Sequence, residues 1–582
     1  MADLDYSLKI GGEAGQGINT IGDILCKAFA EQGLHLYAYQ DYYSRVRGGH
    51  NFYQIRIASF PLYSFSSKLE LLIALDKASL DLHENEMKAD GVIIFDQEKI
   101  DPENKVPNSL ALPMAELGKK HGGKTVMGNT VAAGAAWQIM GGNPEILYSV
   151  LSKLFQGKGN KIVEANIKAA RAGSDYAAEN FSGRCTCNIK GANNGNSRNS
   201  MVMTGNEATA LGALAAGCRF MSSYPMTPAS GVMQYIARQA GRLPLAFEQA
   251  EDEIAAINMS IGAANTGLRS MVGTSGSGFS LMVEGLSYAG ISETPLVILL
   301  GQRPGPATGM ATRTEQGELL FSIHAGNGEF PRAVFAPATA EDAFWITAHA
   351  FNIAEKYQVP VIILSDQHLA DSSYTVKPFD LNAVTIDRGN LLNEAEQGEL
   401  TEYNRYQITD SGISPRAFPG QVKQCVVITG NEHLESGYST ENPEIHTKMV
   451  DKRIRKLNRM ADDVKTPEIY GKQNPETLLL TWGSSYGACR EAVDLANAKG
   501  EKLQAAYLPQ LWPLPNDQIQ DLFKQANRVV TVEMNATGQL GRLLRIETGL
   551  QPEYAILKYD GRPMNADYVL AELEQGGVFP WQ

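Results

Sequence analysis

Cysteine is sparse in this 582-residue sequence: six are present, Cys26, Cys185, Cys187, Cys218, Cys425 and Cys489, and no two form a Cys-x-x-Cys pair. That scatter excludes a disulfide framework and a cysteine-based zinc or iron–sulfur motif within the chain. The one close pair, Cys185-Thr186-Cys187, reads as two incidental thiols. No apolar run reaches the ~18 residues that a membrane-spanning helix needs. Positive charge is not in excess either. The formal net charge is -13, and Lys and Arg are spread along the chain, so phosphate backbones are repelled and nucleic acid is excluded as a partner. The opening Met1-Ala2-Asp3-Leu4-Asp5 is acidic where a secretory signal is basic. The expectation is a cytoplasmic chain with no membrane association.

What is present is ordinary globular material, 43% hydrophobic and 20% charged, in a chain long enough for about three or four domains. Tyr6 to Ile10 reads as a strand, followed by Gly11-Gly12-Glu13-Ala14-Gly15-Gln16-Gly17 and a helical pattern through Ile21, Leu25, Ala28 and Phe29. Further strands are expected at 52–58, 71–75 and 91–96, alternating with helices as in a parallel sheet. A polar, small-residue stretch at 190–200 has the composition of a tether and ends this first domain, 1–189. A second alternating region, 201–376, has buried-strand runs at 295–301 and 359–366. Residues 377–472 are polar and irregular, and the basic run Arg453-Ile454-Arg455-Lys456-Leu457-Asn458-Arg459 within them reads as a solvated helix face. Strands at 477–483 and 528–533 define a last unit, 473–582. The fold class is α/β throughout.

Five segments carry chemistry. The glycine turn after the first strand lets backbone amides approach a phosphate-bearing ligand, although close packing alone also explains such glycines. Tyr224-Pro225-Met226-Thr227-Pro228 would present a hydroxyl at a strand end, where open α/β sheets bind ligands. Glu248, Glu251, Asp252 and Glu253 cluster before a helix, a position acids favour through the helix dipole. Gly273-Thr274-Ser275-Gly276-Ser277-Gly278 lets the chain pass close under a ring. Gly301-Gln302-Arg303-Pro304 to Thr312-Arg313-Thr314-Glu315-Gln316 starts at a strand end and offers Arg303 as a planar fork for a carboxylate. His324 and His368 read as structural.

These segments, in this order and spacing, resemble the fused gamma and alpha parts of the 2-oxoacid:ferredoxin oxidoreductases. The glycine turn together with Tyr42-Tyr43-Ser44-Arg45-Val46-Arg47-Gly48-Gly49-His50 resembles the gamma module, which implies that Gly15, Gly17, Arg47, Gly48 and Gly49 face coenzyme A. Region 201–376 resembles the half of a thiamine-diphosphate site that holds the cofactor's pyrimidine, and 473–582 a transketolase C-terminal-like domain. The resemblance implies that Glu253 hydrogen-bonds the aminopyrimidine. A carboxyl kept protonated there, with Ile254, Ile257 and Met259 as its apolar surround, would favour the tautomer that activates the cofactor. It further implies that Tyr224, Pro225, Thr274, Ser275 and Gly276 contact the cofactor and that Thr227, Arg303 and Thr312 contact the 2-oxoacid. Arg313, a second cation nearby, would favour a dicarboxylate, 2-oxoglutarate, over pyruvate.

The Gly-Asp-Gly motif that holds the diphosphate and magnesium in thiamine enzymes is missing. The resemblance therefore implies a beta subunit that brings Mg2+, the diphosphate site and an iron–sulfur cluster, with no metal bound by this chain, in an (alpha-beta)2 assembly serving ferredoxin. The implied reaction converts 2-oxoglutarate and coenzyme A to succinyl-CoA and carbon dioxide, or runs in reverse to fix carbon dioxide. Pyruvate or broad specificity, a thiamine enzyme without redox chemistry, and a non-catalytic binding or assembly subunit are the alternatives.

Overall fold

The computed structural model describes residues 4–44, 48–101, 108–190 and 200–577, which form two units. One comprises the chain up to residue 204 together with 372–379; the other comprises 205–371 and 380 onward. The expected division differs in a specific way. By their position in the chain residues 201–204 and 373–376 read as part of the second domain, but both pair within the first unit's sheet. Of the tether at 190–200, residues 191–199 lie outside the described residues.

In the first unit the strands are β1 (Asp5–Glu13), β2 (His35–Asp41), β3 (His50–Ala58), β4 (Leu69–Ala74), β5 (Met87–Asp96), β6 (Ser109–Leu112) and β7 (Met201–Thr204). They form a sheet in the order β6-β5-β4-β1-β3-β2, then the strand Ser373–Val376, then β7. The expected parallel arrangement holds for β4, β5, β6 and β1, whereas β3 runs antiparallel to both β1 and β2. Leu8 and Ile10 point to one face, where Ile21, Leu25 and Phe29 of the helix Ile18–Gln32 cover them, so the alternation in β1 and the helical spacing meet in one core.

The second unit is built on β8 (Cys218–Ser223), β9 (Ala246–Gln249), β10 (Arg269–Thr274), β11 (Leu296–Gln302), β12 (Ala333–Phe335) and β13 (Pro360–Asp366). Their order is β12-β13-β11-β10-β8-β9, all parallel. Both faces of the sheet are covered: Met271, Val297 and Leu299 lie in one core, Val272, Ile298 and Leu300 in another. That burial is why β11 reads as an unbroken apolar run. A five-stranded sheet formed by 468–471, 503–507, 477–481, 528–533 and 554–557 belongs to the same unit.

Residues 377–472 contain the helix Pro443–Ala461, and its basic run is not a solvated face. Lys452 and Lys456 are fully buried and pair with Glu293, with Lys452 Nζ 2.6 Å from the carboxylate, and Arg453 forms a two-pronged pair with Glu432. Arg388 and Arg416 from the same region join Arg269 on the buried Glu355. Two buried acids thus need this segment's cations, because an unpaired buried charge is costly. The pair Cys185 and Cys187 also departs from expectation: the two are joined in a disulfide.

Candidate functional site

In the second unit the chain order reverses at β8, which has β9 on one side and β10 on the other. Ligands bind at such a switch point, outside the carboxyl ends of the strands. Tyr224 to Thr227 follow β8, Glu253 follows β9, Ser275 follows β10 and Arg303 follows β11, so four of the expected segments are gathered at this one edge.

Glu253 is the first residue of the helix Glu253–Asn265, which starts there because Asp252 caps it, accepting from the Ala255 amide at 2.7 Å. Glu248 lies on β9 instead of at the helix. Glu253 is only 4% exposed, and its Oε1 is enclosed without a protein hydrogen-bond partner. A Cβ at Gly278 would come within 2.6 Å of that oxygen and would also collide with Thr274 Oγ1. Glycine is therefore required there for the carboxyl to lie against the 274–278 segment. The surround expected for Glu253 is partly wrong. Ile257, one turn on, shares its buried face, but Ile254 and Met259 are 48% and 41% exposed, since one and six residues on from Glu253 the helix points away.

Arg303 is buried, and its Nη1 donates to the Thr227 main-chain oxygen at 2.8 Å while Nη2 reaches Met226 Sδ at 3.4 Å. Its Nε is enclosed and unpartnered, as is Ser275 Oγ. Both residues line a cavity of about 430 Å³ with Gly276, Glu315, Glu318 and Gln539. Thr227, Thr312 and Arg313 are not among that cavity's lining residues; Thr312 and Arg313 are buried, and Arg313 packs beside Gly561. Tyr224 and Pro225 are exposed, and Thr274 is fully buried. His324 is exposed, and burial pushes the His368 imidazole down to about 3.

Three residues here were not among the expected site. Burial, reinforced by Glu315 and opposed by Arg303, pushes the Glu318 carboxyl up to about 8. Gln539 accepts from the Leu320 amide at 2.9 Å and donates to Gly317 O at 2.7 Å, fixing the loop that carries Glu318. Gln316 anchors the same loop through Trp482 O and the Met534 amide. The stretch Gly538-Gln539-Leu540 is visible in the sequence, but which loop it holds is not.

In the first unit, Glu13 is paired with His50, so the turn holding Gly15 and Gly17 and the segment Gly48-Gly49 leave neighbouring strands at the same end of the sheet. All four glycines have positive φ, and a Cβ at Gly15 or Gly48 would meet open space. Arg47 lies outside the described residues. Behind them, His50 Nε2 is 2.8 Å from His83 Nε2, and Ser79 Oγ donates to Asp76 at 2.7 Å.

Comparison with known proteins follows the same division. A family model described as "Pyruvate ferredoxin/flavodoxin oxidoreductase" matches residues 7–176. A second, "Pyruvate flavodoxin/ferredoxin oxidoreductase, thiamine diP-bdg", matches 211–452, and "Pyruvate:ferredoxin oxidoreductase core domain II" matches 475–564. The chain is 32% identical to the 2-oxoacid:ferredoxin oxidoreductase subunit alpha of Saccharolobus solfataricus, over 97% of each protein. It is 29% identical to the 2-oxoglutarate oxidoreductase subunit KorA of Mycobacterium tuberculosis, over 98% of this chain and 92% of that one. Among solved structures, the 2-oxoglutarate:ferredoxin oxidoreductase of Magnetococcus marinus, with 2-oxoglutarate, coenzyme A and succinyl-CoA bound, superposes with a TM-score of 0.89 at 32% identity, covering 98% of this chain and 99% of that one.

Proposed function

The chain belongs to the 2-oxoacid:ferredoxin oxidoreductase family as an alpha subunit, and from that premise we propose that with a beta subunit it catalyses the coenzyme A-dependent oxidative decarboxylation of 2-oxoglutarate. In balance, 2-oxoglutarate, coenzyme A and two oxidised ferredoxins give succinyl-CoA, carbon dioxide, a proton and two reduced ferredoxins. The observation that carries this reading is the enclosed, unpartnered Oε1 of Glu253 lying against Gly278 at the switch point of a parallel sheet. A buried carboxyl oxygen without a protein partner calls for one from outside the chain, and at a strand-end switch point a ligand meets that need.

The residues present fit the pyrimidine half of thiamine diphosphate. Glu253 would hold its ring, and Thr274, Ser275 and Gly276 supply the close backbone approach that a side chain at 276 or 278 would block. When bound, thiamine diphosphate supplies the nucleophilic attack on the keto carbon and takes up the electron pair left by carbon dioxide. Glu253 holds the proton that the ring nitrogen needs. Arg303, positioned by the Thr227 main-chain oxygen, holds the 2-oxoacid carboxylate and keeps it oriented as the carbon–carbon bond breaks. Gly15, Gly17, Gly48 and Gly49, with Arg47, offer backbone and charge to coenzyme A.

Because the sequence has no Gly-Asp-Gly and no cluster-forming cysteine spacing, the beta subunit brings the diphosphate site, Mg2+ and the iron–sulfur cluster, in an (alpha-beta)2 cytoplasmic assembly. The choice of 2-oxoglutarate is supported by the names of the Mycobacterium and Magnetococcus relatives. Arg313, absent from the lining of the Arg303 cavity, favours the second reading of a broader 2-oxoacid range that includes pyruvate.

The test is to isolate the tagged complex without oxygen and follow viologen reduction with coenzyme A and either 2-oxoglutarate or pyruvate. Faster reduction with 2-oxoglutarate is expected. Equal or faster reduction with pyruvate removes the substrate assignment, and no reduction by a complex that contains thiamine diphosphate and iron removes the reaction.

A further inference from the structure

Ser275, Arg303 and Glu318 line the cavity beyond β10 and β11, and each carries one enclosed side-chain atom with no protein partner: Ser275 Oγ, Arg303 Nε and Glu318 Oε2. Glu318 keeps some exposure as a residue, but this oxygen does not. Its carboxyl lies against Gly276, where a Cβ would collide with Oε1. The cavity also holds Glu315. One guanidinium and two ionised acids would give the lining a net negative charge, which repels a carboxylate ligand. A proton on one of the acids removes that repulsion, and the more enclosed acid is Glu318. A neutral carboxylic acid has one O–H to donate, and none of the atoms around Oε2 accepts it.

We propose that Glu318 is a substrate-recognition residue, whose protonated carboxyl donates a hydrogen bond to a carboxylate oxygen of the 2-oxoacid beside Arg303 Nε and Ser275 Oγ. The inference rests on the 2-oxoacid reading above and extends it. Burial raises the Glu318 carboxyl to about 8, with Glu315 adding to the rise and Arg303 opposing it; these are the charged groups that face it. Glu318 is therefore neutral below about pH 8 and ionises above it. An ionised Glu318 loses its donor and repels the incoming carboxylate. Affinity for the substrate is thus present on the acid side and lost as pH rises through about 8.

Glu318→Gln keeps a neutral donor of the same shape and removes the titration, which makes it the discriminating variant. In the intact complex, the KM for the 2-oxoacid should climb about tenfold per pH unit above pH 8 in the wild type, following the ionised fraction. In Glu318→Gln it should stay within a few-fold from pH 6 to 9. Glu318→Leu, which has no donor, should raise KM about tenfold or more at pH 7 while coenzyme A KM is unmoved. Should Glu318→Leu fail to assemble, the two pH profiles still decide the matter. A wild-type KM flat to pH 9, or the same rise in Glu318→Gln, overturns the proposal while leaving the enzyme class standing. Absence of viologen reduction by the wild-type complex with any 2-oxoacid removes the underlying reading instead.

Discussion

Arg303 donates through Nη1 to the main-chain oxygen of Thr227 at 2.8 Å, which ties the loop after β8 to the loop after β11. Both Nη arms of the guanidinium are spent on the loop after β8, and Nε is left enclosed and unpartnered. Lysine has no fork with which to do both. Arg303→Lys is expected to raise the KM for the 2-oxoacid by about 10- to 100-fold, the equivalent of roughly 1.5–3 kcal/mol for a charge-assisted hydrogen bond. The coenzyme A KM should hold steady, and steady-state viologen assays read both.

Gly278 and Gly262 make a matched pair. A Cβ at Gly278 collides with Thr274 Oγ1 and crowds Glu253 Oε1, whereas at Gly262 it meets nothing within 4 Å. Gly278→Ala should lower stability by about 1–3 kcal/mol from overpacking and reduce turnover as well. Gly262→Ala, inside the helix Glu253–Asn265, should be neutral or stabilising by up to about 1 kcal/mol. Thermal unfolding of the two complexes measures the contrast.

Glu293 balances the two fully buried ammonium groups of Lys452 and Lys456. Glu293→Gln leaves both without a countercharge and should cost about 3–5 kcal/mol. Lys502→Ala, which removes an exposed partner of Glu476 at 3.5 Å, should change stability by less than about 1 kcal/mol. Urea unfolding curves of both variants separate the buried network from the surface pair.

Thiol counting tests the cysteine assignment. Cys425 is exposed, while Cys26, Cys218 and Cys489 are buried, and burial pushes the Cys218 and Cys489 thiols up to about 12. Alkylation should modify Cys425 alone in the native chain. The unreduced, denatured chain should show these four modified, and Cys185 and Cys187 should react only after reduction. Peptide mass spectrometry gives the count, and ready labelling of Cys187 without reductant would count against the disulfide.

Apolar patterns, alternating in β1 and unbroken in β11 and β13, made these strands legible in the sequence, because each is a local pattern whose burial needs no distant partner to predict. The strand Ser373–Val376 was not, since its place between β2 and β7 depends on pairing with residues far away in the chain. The basic run at 453–459 misled for the same reason: the acid that buries Lys456 is Glu293, and nothing local announces it. In the site, Arg303 stood out because it sits in a distinctive segment at a strand end, whereas only the family resemblance separates Glu253 from the acids clustered beside it. Glu318 became visible only when the loop held by Gln316 and Gln539 enclosed it beside Arg303. The helix at Glu253 was foreseen, yet its surround was only half foreseen, because Ile257 shares the buried face and Ile254 does not.

The central claim is that Glu253 is the acid of a thiamine-diphosphate site completed by a partner subunit. The most direct measurement replaces it with glutamine in the isolated alpha–beta complex and compares turnover, thiamine diphosphate content and thermal stability with the wild type. A side chain that holds a proton in the reaction supplies about 10²- to 10⁴-fold. The expected result is a loss of that size in viologen reduction, with the complex still assembled and the cofactor still measurable. Wild-type turnover in an intact Glu253→Gln complex would contradict the account.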